Sequence, residues 1–351
     1  MDITTASIDL AKDVFTVCTQ DATGKTLERR DLRRDALRTW MGRLPSGIVV
    51  GLEACGAAHY WAREMAALGL QPRIMAAEFV QPFRKSRAGK NDRNDAEAIA
   101  VAVREANMRF VAIKTIEQQA RLSTHRMREG WKEERTALMN RMRGLLGEFG
   151  VVFPRSPSAL RIGLGATLDD ERVPQSTREL VRWALEDLGR LEQRIAACDR
   201  AIGLATRDDP VARRIQKVVG VGPTTADAII ATVGNAREFK NGRQFAAWLG
   251  LVPRQFSSGG KSRLGSITKR GDAYIRTLLV QGARSVLNHS LRASPERATR
   301  LQQWAAQLHG RAGYHKALAA IANKNARVLW ALLAKEETYN PDAWRKFSKA
   351  A

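Results

Sequence analysis

Four acidic side chains occupy positions where a divalent metal could be held for phosphoryl transfer. Asp9 closes the apolar run Ile3-Thr4-Thr5-Ala6-Ser7-Ile8, and Glu53 closes a second run, Ile48-Val49-Val50-Gly51-Leu52. Asp92 and Asp95 follow in Lys90-Asn91-Asp92-Arg93-Asn94-Asp95-Ala96, at the start of a helix-like stretch. Their spacing of three puts both on one helix face. An acid at the end of a buried strand is costly unless a cation compensates it. Two-metal chemistry needs oxygen ligands that hold a pair of Mg²⁺ or Mn²⁺ ions roughly 4 Å apart, one activating the attacking oxygen and one stabilising the leaving oxygen. Singly, each acid has a plainer reading: Asp92 caps a helix, Asp95 stabilises its first turn, Glu53 pairs with an arginine. Together, in this order, the four read as a metal site.

Positioning such acids requires strands that end at one place and a helix that lies across them. Strands are expected at Ile3–Leu10, Val14–Thr19, Lys25–Asp31, Gly47–Glu53 and Pro72–Ala77, with helices at Asp35–Leu44, Tyr60–Leu68 and Asp92–Glu105. Three early strands followed by alternating helices and strands predict a ribonuclease-H-like mixed sheet over residues 1–112. No Gly-rich turn follows the first strand, which argues against a dinucleotide-binding fold.

Residues 113–207 read as a helical connector. There is no Pro between Glu117 and Phe149, and Leu138, Met142, Leu145 and Phe149 recur at helical spacing. A stretch with Pro and Gly, Val151 to Pro174, interrupts the pattern. Ala184, Leu188, Leu191, Ile195, Cys198 and Ile202 then alternate steps of four and three, the seam of a coiled coil. That seam can pair with the preceding helix or with another subunit. Residues 208–335 read as a compact, mostly helical, basic domain, and residues 336–351 as a polar tail. The fold class is therefore α/β followed by all-α.

Charge narrows the partners. The 351 residues carry 58 Lys and Arg against 36 Asp and Glu, a net charge of +22. A surplus of this size attracts polyanions, nucleic acid first among them. No apolar run reaches the ~18 residues of a membrane span. The N-terminus has no basic-then-apolar leader, so a cytoplasmic location is expected. Cys18, Cys55 and Cys198 are scattered in apolar surroundings and read as buried thiols, without zinc-ligand spacing. The five His have no ligand spacing, and Trp residues such as Trp61, Trp183 and Trp248 read as core.

Three segments are candidates for nucleic-acid contact. Arg84, Lys85, Arg87, Lys90 and Arg93 surround Asp92 in a loop suited to a phosphate backbone beside the metals. Gly220-Val221-Gly222-Pro223 opens a helix and resembles the turn of a helix-hairpin-helix module, where backbone N–H groups take phosphate without reading sequence. Between Lys240 and Arg284 nine Lys and Arg face the single acid Asp272. Lys261, Arg263, Lys269 and Arg270 lie here, around the loop Phe256-Ser257-Ser258-Gly259-Gly260. Judged on its residues alone, that Ser-Gly loop is a DNA-contacting loop before it is a nucleophile.

The motifs in their order resemble the DEDD transposases of bacterial insertion sequences. The N-terminal match rests on Ile8-Asp9-Leu10-Ala11-Lys12, Gly51-Leu52-Glu53-Ala54-Cys55-Gly56 and the Asp92–Asp95 segment. The C-terminal match rests on Val219 to Pro223, Phe245 to Pro253, Ser257-Ser258-Gly259 and Ile267 to Asp272. The resemblance covers nearly the whole chain. It implies a RuvC-like N-terminal domain in which Asp9, Glu53, Asp92 and Asp95 bind Mg²⁺ or Mn²⁺. It further implies that Ser258 is a nucleophile forming a phosphoserine link to DNA, and that the protein works as a homo-oligomer. Some members of the family are guided by a structured RNA, which charge alone does not distinguish from DNA. Two other readings remain: a junction-resolving nuclease without a serine step, and a non-enzymatic nucleic-acid scaffold.

Overall fold

The computed structural model describes residues 2–84, 92–257, 261, 263–294, 296 and 298–341, with the side chains of Asp92 and Arg93 outside the description. The chain divides into two compact units, Met1–Thr115 and Ile116–Ala351.

The first unit is a mixed six-stranded sheet with helices on both faces. Its elements in order are β1 (Thr5–Asp9), β2 (Val14–Gln20), β3 (Thr26–Arg33), α1 (Arg34–Met41), β4 (Val49–Glu53), α2 (Ala58–Ala67), β5 (Gln71–Met75), α3 (Ala77–Val80), α4 (Asp92–Ala102) and β6 (Phe110–Val111). The sheet order is β3-β2-β1-β4-β5-β6. The first three strands form an antiparallel meander, β1, β4 and β5 run parallel, and β6 returns antiparallel. The sequence pattern predicts the first five strands; β6, two residues long, carries too little pattern to read.

Strand alternation sorts the side chains between two layers. Ala6 and Ile8 of β1 and Val50 and Leu52 of β4 are buried on one face, where Leu37, Trp40, Trp61 and Met65 from α1 and α2 cover them. Removing each large apolar side chain from water contributes about 1.5–3 kcal/mol. The opposite face carries Ser7, Asp9, Gly51 and Glu53, and α4 packs on it. Ser7 Oγ donates to the Ala96 carbonyl at 2.6 Å. A Cβ on Gly51 would stand 3.0 Å from Ile99 Cγ2 and 3.1 Å from Val103 Cβ. The bare glycine is what lets α4 lie against β4.

The second unit is almost entirely helical. It contains α5 (Ile116–Gly147), α6 (Pro157–Thr167), α7 (Gln175–Arg207), α8 (Pro210–Ile215), α9 (Pro223–Thr232) and α10 (Gly242–Trp248). The hairpin β7 (Pro253–Gln255) and β8 (Leu264–Ile267) follows, then α11 (Ala273–Arg292), α12 (Arg300–Ala312) and α13 (Tyr314–Ala334). The seam Ala184, Leu188, Leu191, Ile195, Cys198 and Ile202 is buried along α7, which packs against α5 of the same chain. Arg128 Nε of α5 meets Asp199 Oδ1 of α7 at 2.6 Å, while Met139 to Leu146 share a core with Val181 to Leu188, so the two helices run antiparallel. On α5 Met139, Met142 and Leu146 are buried, and of the expected Leu138, Met142, Leu145 and Phe149 only Leu145 misses the core: Leu138 and Phe149 pack half-buried against it, whereas Leu145 faces solvent.

Other expectations are corrected by the structure. The stretch 151–174 contains the helix α6, capped by Ser156 Oγ accepting from the Ala159 N–H. Trp183 is 59% exposed, because it immediately precedes Ala184 and so points about 100° away from the seam. Cys55 is exposed, lying beyond the end of β4, while Cys18 and Cys198 are buried as expected. No helix among the described residues is long and apolar enough to cross a membrane.

Candidate functional site

The parallel register of β1 and β4 builds the first site. Ser7 pairs with Gly51 and Ile8 with Leu52, so the next positions along each strand are Asp9 and Glu53. Both lie on the α4 face, at the carboxyl ends of adjacent parallel strands. The Ser7–Ala96 hydrogen bond brings Asp95, one residue earlier on α4, to the same place. Asp9, Glu53 and Asp95 line a cleft of about 370 Å³ together with Thr16, Cys55 and Arg84. Asp92 is the first residue of α4, one turn before Asp95.

The electrostatics follow from this convergence. Arg84 Nη2 donates to Glu53 Oε2 at 3.3 Å. Its Nε is 3.0 Å from Asp95 Oδ1. That second contact is ionic without being an aligned hydrogen bond, and the buried Nε–H has no acceptor among the described residues. Cys55, exposed as a residue, sets its Sγ 3.8 Å from the Leu10 carbonyl. Desolvation there, and then the charges of Asp9 and Glu53, push its thiol up to about 11. The Cys55 thiol thus feels the negative charge of Asp9 and Glu53 within a strongly basic protein.

As a metal site the cleft has fitting donor chemistry: carboxylate oxygens are what Mg²⁺ and Mn²⁺ take. Among the described residues no three donors stand close enough to ligate one ion in this arrangement. The protein's own cation, Arg84, lies between two of them.

Lys85, Arg87 and Lys90 lie outside the described residues, as does Ser258. Arg93 is the second residue of α4. Ser257 is exposed, and its Oγ accepts from Gln255 Nε2 at 3.0 Å and from the Arg263 N–H at 3.4 Å. Lys261, Arg263, Lys269 and Arg270 are all exposed on or beside the β7–β8 hairpin. Lys269 takes a left-handed backbone, φ 56°, at the turn that leads into Gly271.

A second cleft, of about 610 Å³, lies within the helical unit at the turn before α9. Gly220 has φ +89°, and a Cβ there would stand 2.9 Å from the Gly282 carbonyl of α11, so both the conformation and the close approach demand glycine. Gly222 then caps α9 without a side chain, leaving the first N–H groups of the helix to the cleft. Arg128, Lys132 and Lys217 line its walls. Lys217 is exposed, whereas Arg128 is held by Asp199 and Glu129.

Beneath this turn lies a polar network with no counterpart in the sequence pattern. Asp227 of α9, 1% exposed, accepts from Arg121 Nη1 at 3.1 Å. It also meets His125 Nε2 at 2.9 Å. His125 Nδ1 is 2.9 Å from the Tyr274 hydroxyl, and Arg121 also donates to Asp209 Oδ2 at 3.1 Å. Burial pushes the Tyr274 hydroxyl up to about 12. The partners are 102 and 149 residues away from His125, so no local spacing signals them. The network ties α5, α9 and α11 together.

Comparison with known proteins bears on both units. Residues 6–150 match a family model described as a transposase, and residues 212–299 match one described as the transposase IS116/IS110/IS902 family. The chain is 44% identical over 344 residues to a probable family 20 transposase of Pseudomonas aeruginosa, covering 97% of this chain and 100% of that protein. It is 38% identical to the transposase for insertion sequence element IS1111A of Coxiella burnetii, over 96% of this chain and 92% of the relative. The transposase for insertion sequence element IS1328 of Yersinia enterocolitica is 34% identical over 94% of this chain and 96% of the relative.

Proposed function

The chain belongs to the DEDD transposases of insertion sequences, and from that premise we propose that it cleaves and rejoins DNA by metal-dependent phosphoryl transfer with Ser258 as nucleophile. The observation that carries this reading is the convergence of Asp9, Glu53 and Asp95 on one cleft. Asp92, a turn earlier on α4, completes the ligand set. The meander followed by parallel strands supports a RuvC-like fold for this unit. A bound Mg²⁺ or Mn²⁺ supplies Lewis-acid stabilisation of the charge that develops on the phosphorus oxygens and the leaving oxygen.

The chain's own residues do the rest. The Ser258 hydroxyl attacks a backbone phosphorus; a serine O–P bond forms as a DNA O–P bond breaks, and the proton passes from serine to the departing oxygen. A terminal hydroxyl of the partner strand then reverses the step, so the number of phosphodiesters is conserved. Lys261, Arg263, Lys269 and Arg270 bind the flanking phosphates, as do Lys85, Arg87, Lys90 and Arg93, which flank Asp92 in the sequence. Strand exchange at two DNA ends requires at least two such centres, hence a homo-oligomer. A structured RNA is a second polyanion that the net charge of +22 accommodates. Sequencing the nucleic acid that copurifies with the protein tests for it.

The serine step has a direct test. Wild-type protein incubated with element ends and Mg²⁺ is expected to yield a covalent protein–DNA adduct that is abolished by Ser258→Ala. Wild-type recombination by that variant would remove Ser258 from the mechanism.

The cleft at Gly220 and Gly222 is read as a phosphate-backbone site. Lys132→Ala and Lys217→Ala are each expected to lower the slope of log Kobs against log salt for duplex DNA by about 0.9. Fluorescence anisotropy at several salt concentrations measures this, and an unchanged slope in both variants would exclude the cleft from DNA binding.

A further inference from the structure

Arg84, expected to contact phosphate, pairs with acids in the resting protein. Its guanidinium reaches into the carboxylate cleft and touches Glu53 on β4 and Asp95 on α4. An arginine committed to one carboxylate makes two parallel hydrogen bonds of about 2.7–2.9 Å. Arg84 instead divides itself between two acids at 3.3 and 3.0 Å, with the Nε–H lacking an aligned acceptor. The arrangement satisfies charge and leaves geometry poor. Such a group is held by the field of the acids and is readily displaced by a stronger cation.

The surroundings permit displacement of the side chain without movement of the backbone. Val80 of α3 is fully buried in one cluster with Ile99 of α4 and Val103 just past its end, and Phe83 packs on the same cluster, which anchors the chain just before Arg84. The Arg84 side chain itself lines the cleft and is 31% exposed. A guanidinium and a divalent ion cannot both occupy the space between Glu53 and Asp95, because two cations within a few ångströms repel strongly at the low dielectric of a cleft.

We infer that Arg84 is the internal counter-ion of the metal site: it neutralises Glu53 and Asp95 while the metal is away and must be expelled for the metal to bind. The inference rests on the metal-site reading above. It accounts for carboxylates that line one cleft while, among the described residues, no three are grouped to ligate one ion. It also sets an order of events. Metal entry releases a guanidinium at the mouth of the cleft, where a backbone phosphate is the anion next available to it. Metal affinity is then weaker than the carboxylates alone would give, since the metal has to compete with a built-in cation.

The test is Mn²⁺ binding by the full chain without DNA, followed by loss of the free-ion electron paramagnetic resonance signal. Arg84→Gln is expected to bind Mn²⁺ about tenfold more tightly than wild type, while Arg84→Lys, which keeps the charge, stays near wild type. In metal-free buffer Arg84→Gln is expected to melt at a lower temperature than wild type, and saturating Mn²⁺ is expected to raise its Tm by more. Equal or weaker Mn²⁺ binding by Arg84→Gln would overturn the inference, making Arg84 either a bystander or an organiser of the ligands. Asp9→Ala serves as the separate control. Unchanged Mn²⁺ stoichiometry in that variant would overturn the metal-site reading itself, and the counter-ion role with it.

Discussion

Glu53→Gln is expected to lower DNA strand cleavage by about 10³-fold or more while DNA affinity changes by less than about twofold. The magnitude follows from the chemistry. On the proposed mechanism, loss of one charged ligand would weaken a metal whose charge stabilisation is worth several kcal/mol, and each ~1.4 kcal/mol is a factor of ten in rate. Glutamine keeps the shape of the side chain at the end of β4, so the Ser7–Gly51 register and the packing of α4 remain. In the resting protein the substitution weakens the ion pair with Arg84, which still has Asp95. DNA binding is carried mainly by the cationic surface, and one neutralised acid leaves that surface intact. Cleavage of labelled element ends together with anisotropy on the same preparation separates the two effects. Full recombination by Glu53→Gln would sink the metal site.

The second large effect is on stability. Asp227→Ala is expected to destabilise the protein by roughly 3–5 kcal/mol, the usual result of breaking one side of a buried ion pair. Asp227 sits on α9 between Ala226 and Ala228, both fully buried, and takes donors from Arg121 and His125 at once. Its removal leaves the His125 Nε2, itself buried, with no acceptor and Arg121 with fewer carboxylates to pair with. Tyr274→Phe removes a single hydrogen bond from the edge of the same network and is expected to cost about 0.5–1.5 kcal/mol. Urea unfolding at unchanged m reads both. An Asp227→Ala loss below about 1 kcal/mol would mean that the network is not what joins α5, α9 and α11.

How much of this is legible in the sequence depends on the distance over which each signal acts. Asp9 and Glu53 can be found because strand ends announce themselves locally, in apolar runs of five or six residues. That the two acids meet needs only parallel pairing of β1 with β4, which the alternation of elements already implies. The α7 seam is readable for the same reason, since helix periodicity is a local property. The helix α6 is obscured because Gly163 and Gly165 lower helix propensity inside it, although Ser156 and Pro157 mark its start. The β7–β8 hairpin is three residues against four, too short to alternate visibly. Arg84 reads as a phosphate contact from its neighbours in sequence, whereas its neighbours in space are Glu53 and Asp95. His125 carries no signal at all in the chain around it, because its partners come from α9 and α11.

The hydroxyl of Ser7 has one more implication. It grips a main-chain carbonyl of α4 rather than any side chain. The helix bearing Asp95 is therefore gauged against the sheet by its backbone, and residues on the outer surface of α4 can be exchanged without altering where that acid stands. A grafted α4 would keep its alignment as long as Ser7, the bare Gly51 and the buried face of Ala96, Ile99 and Ala100 were retained, which leaves the solvent side of its later turns as the part open to variation.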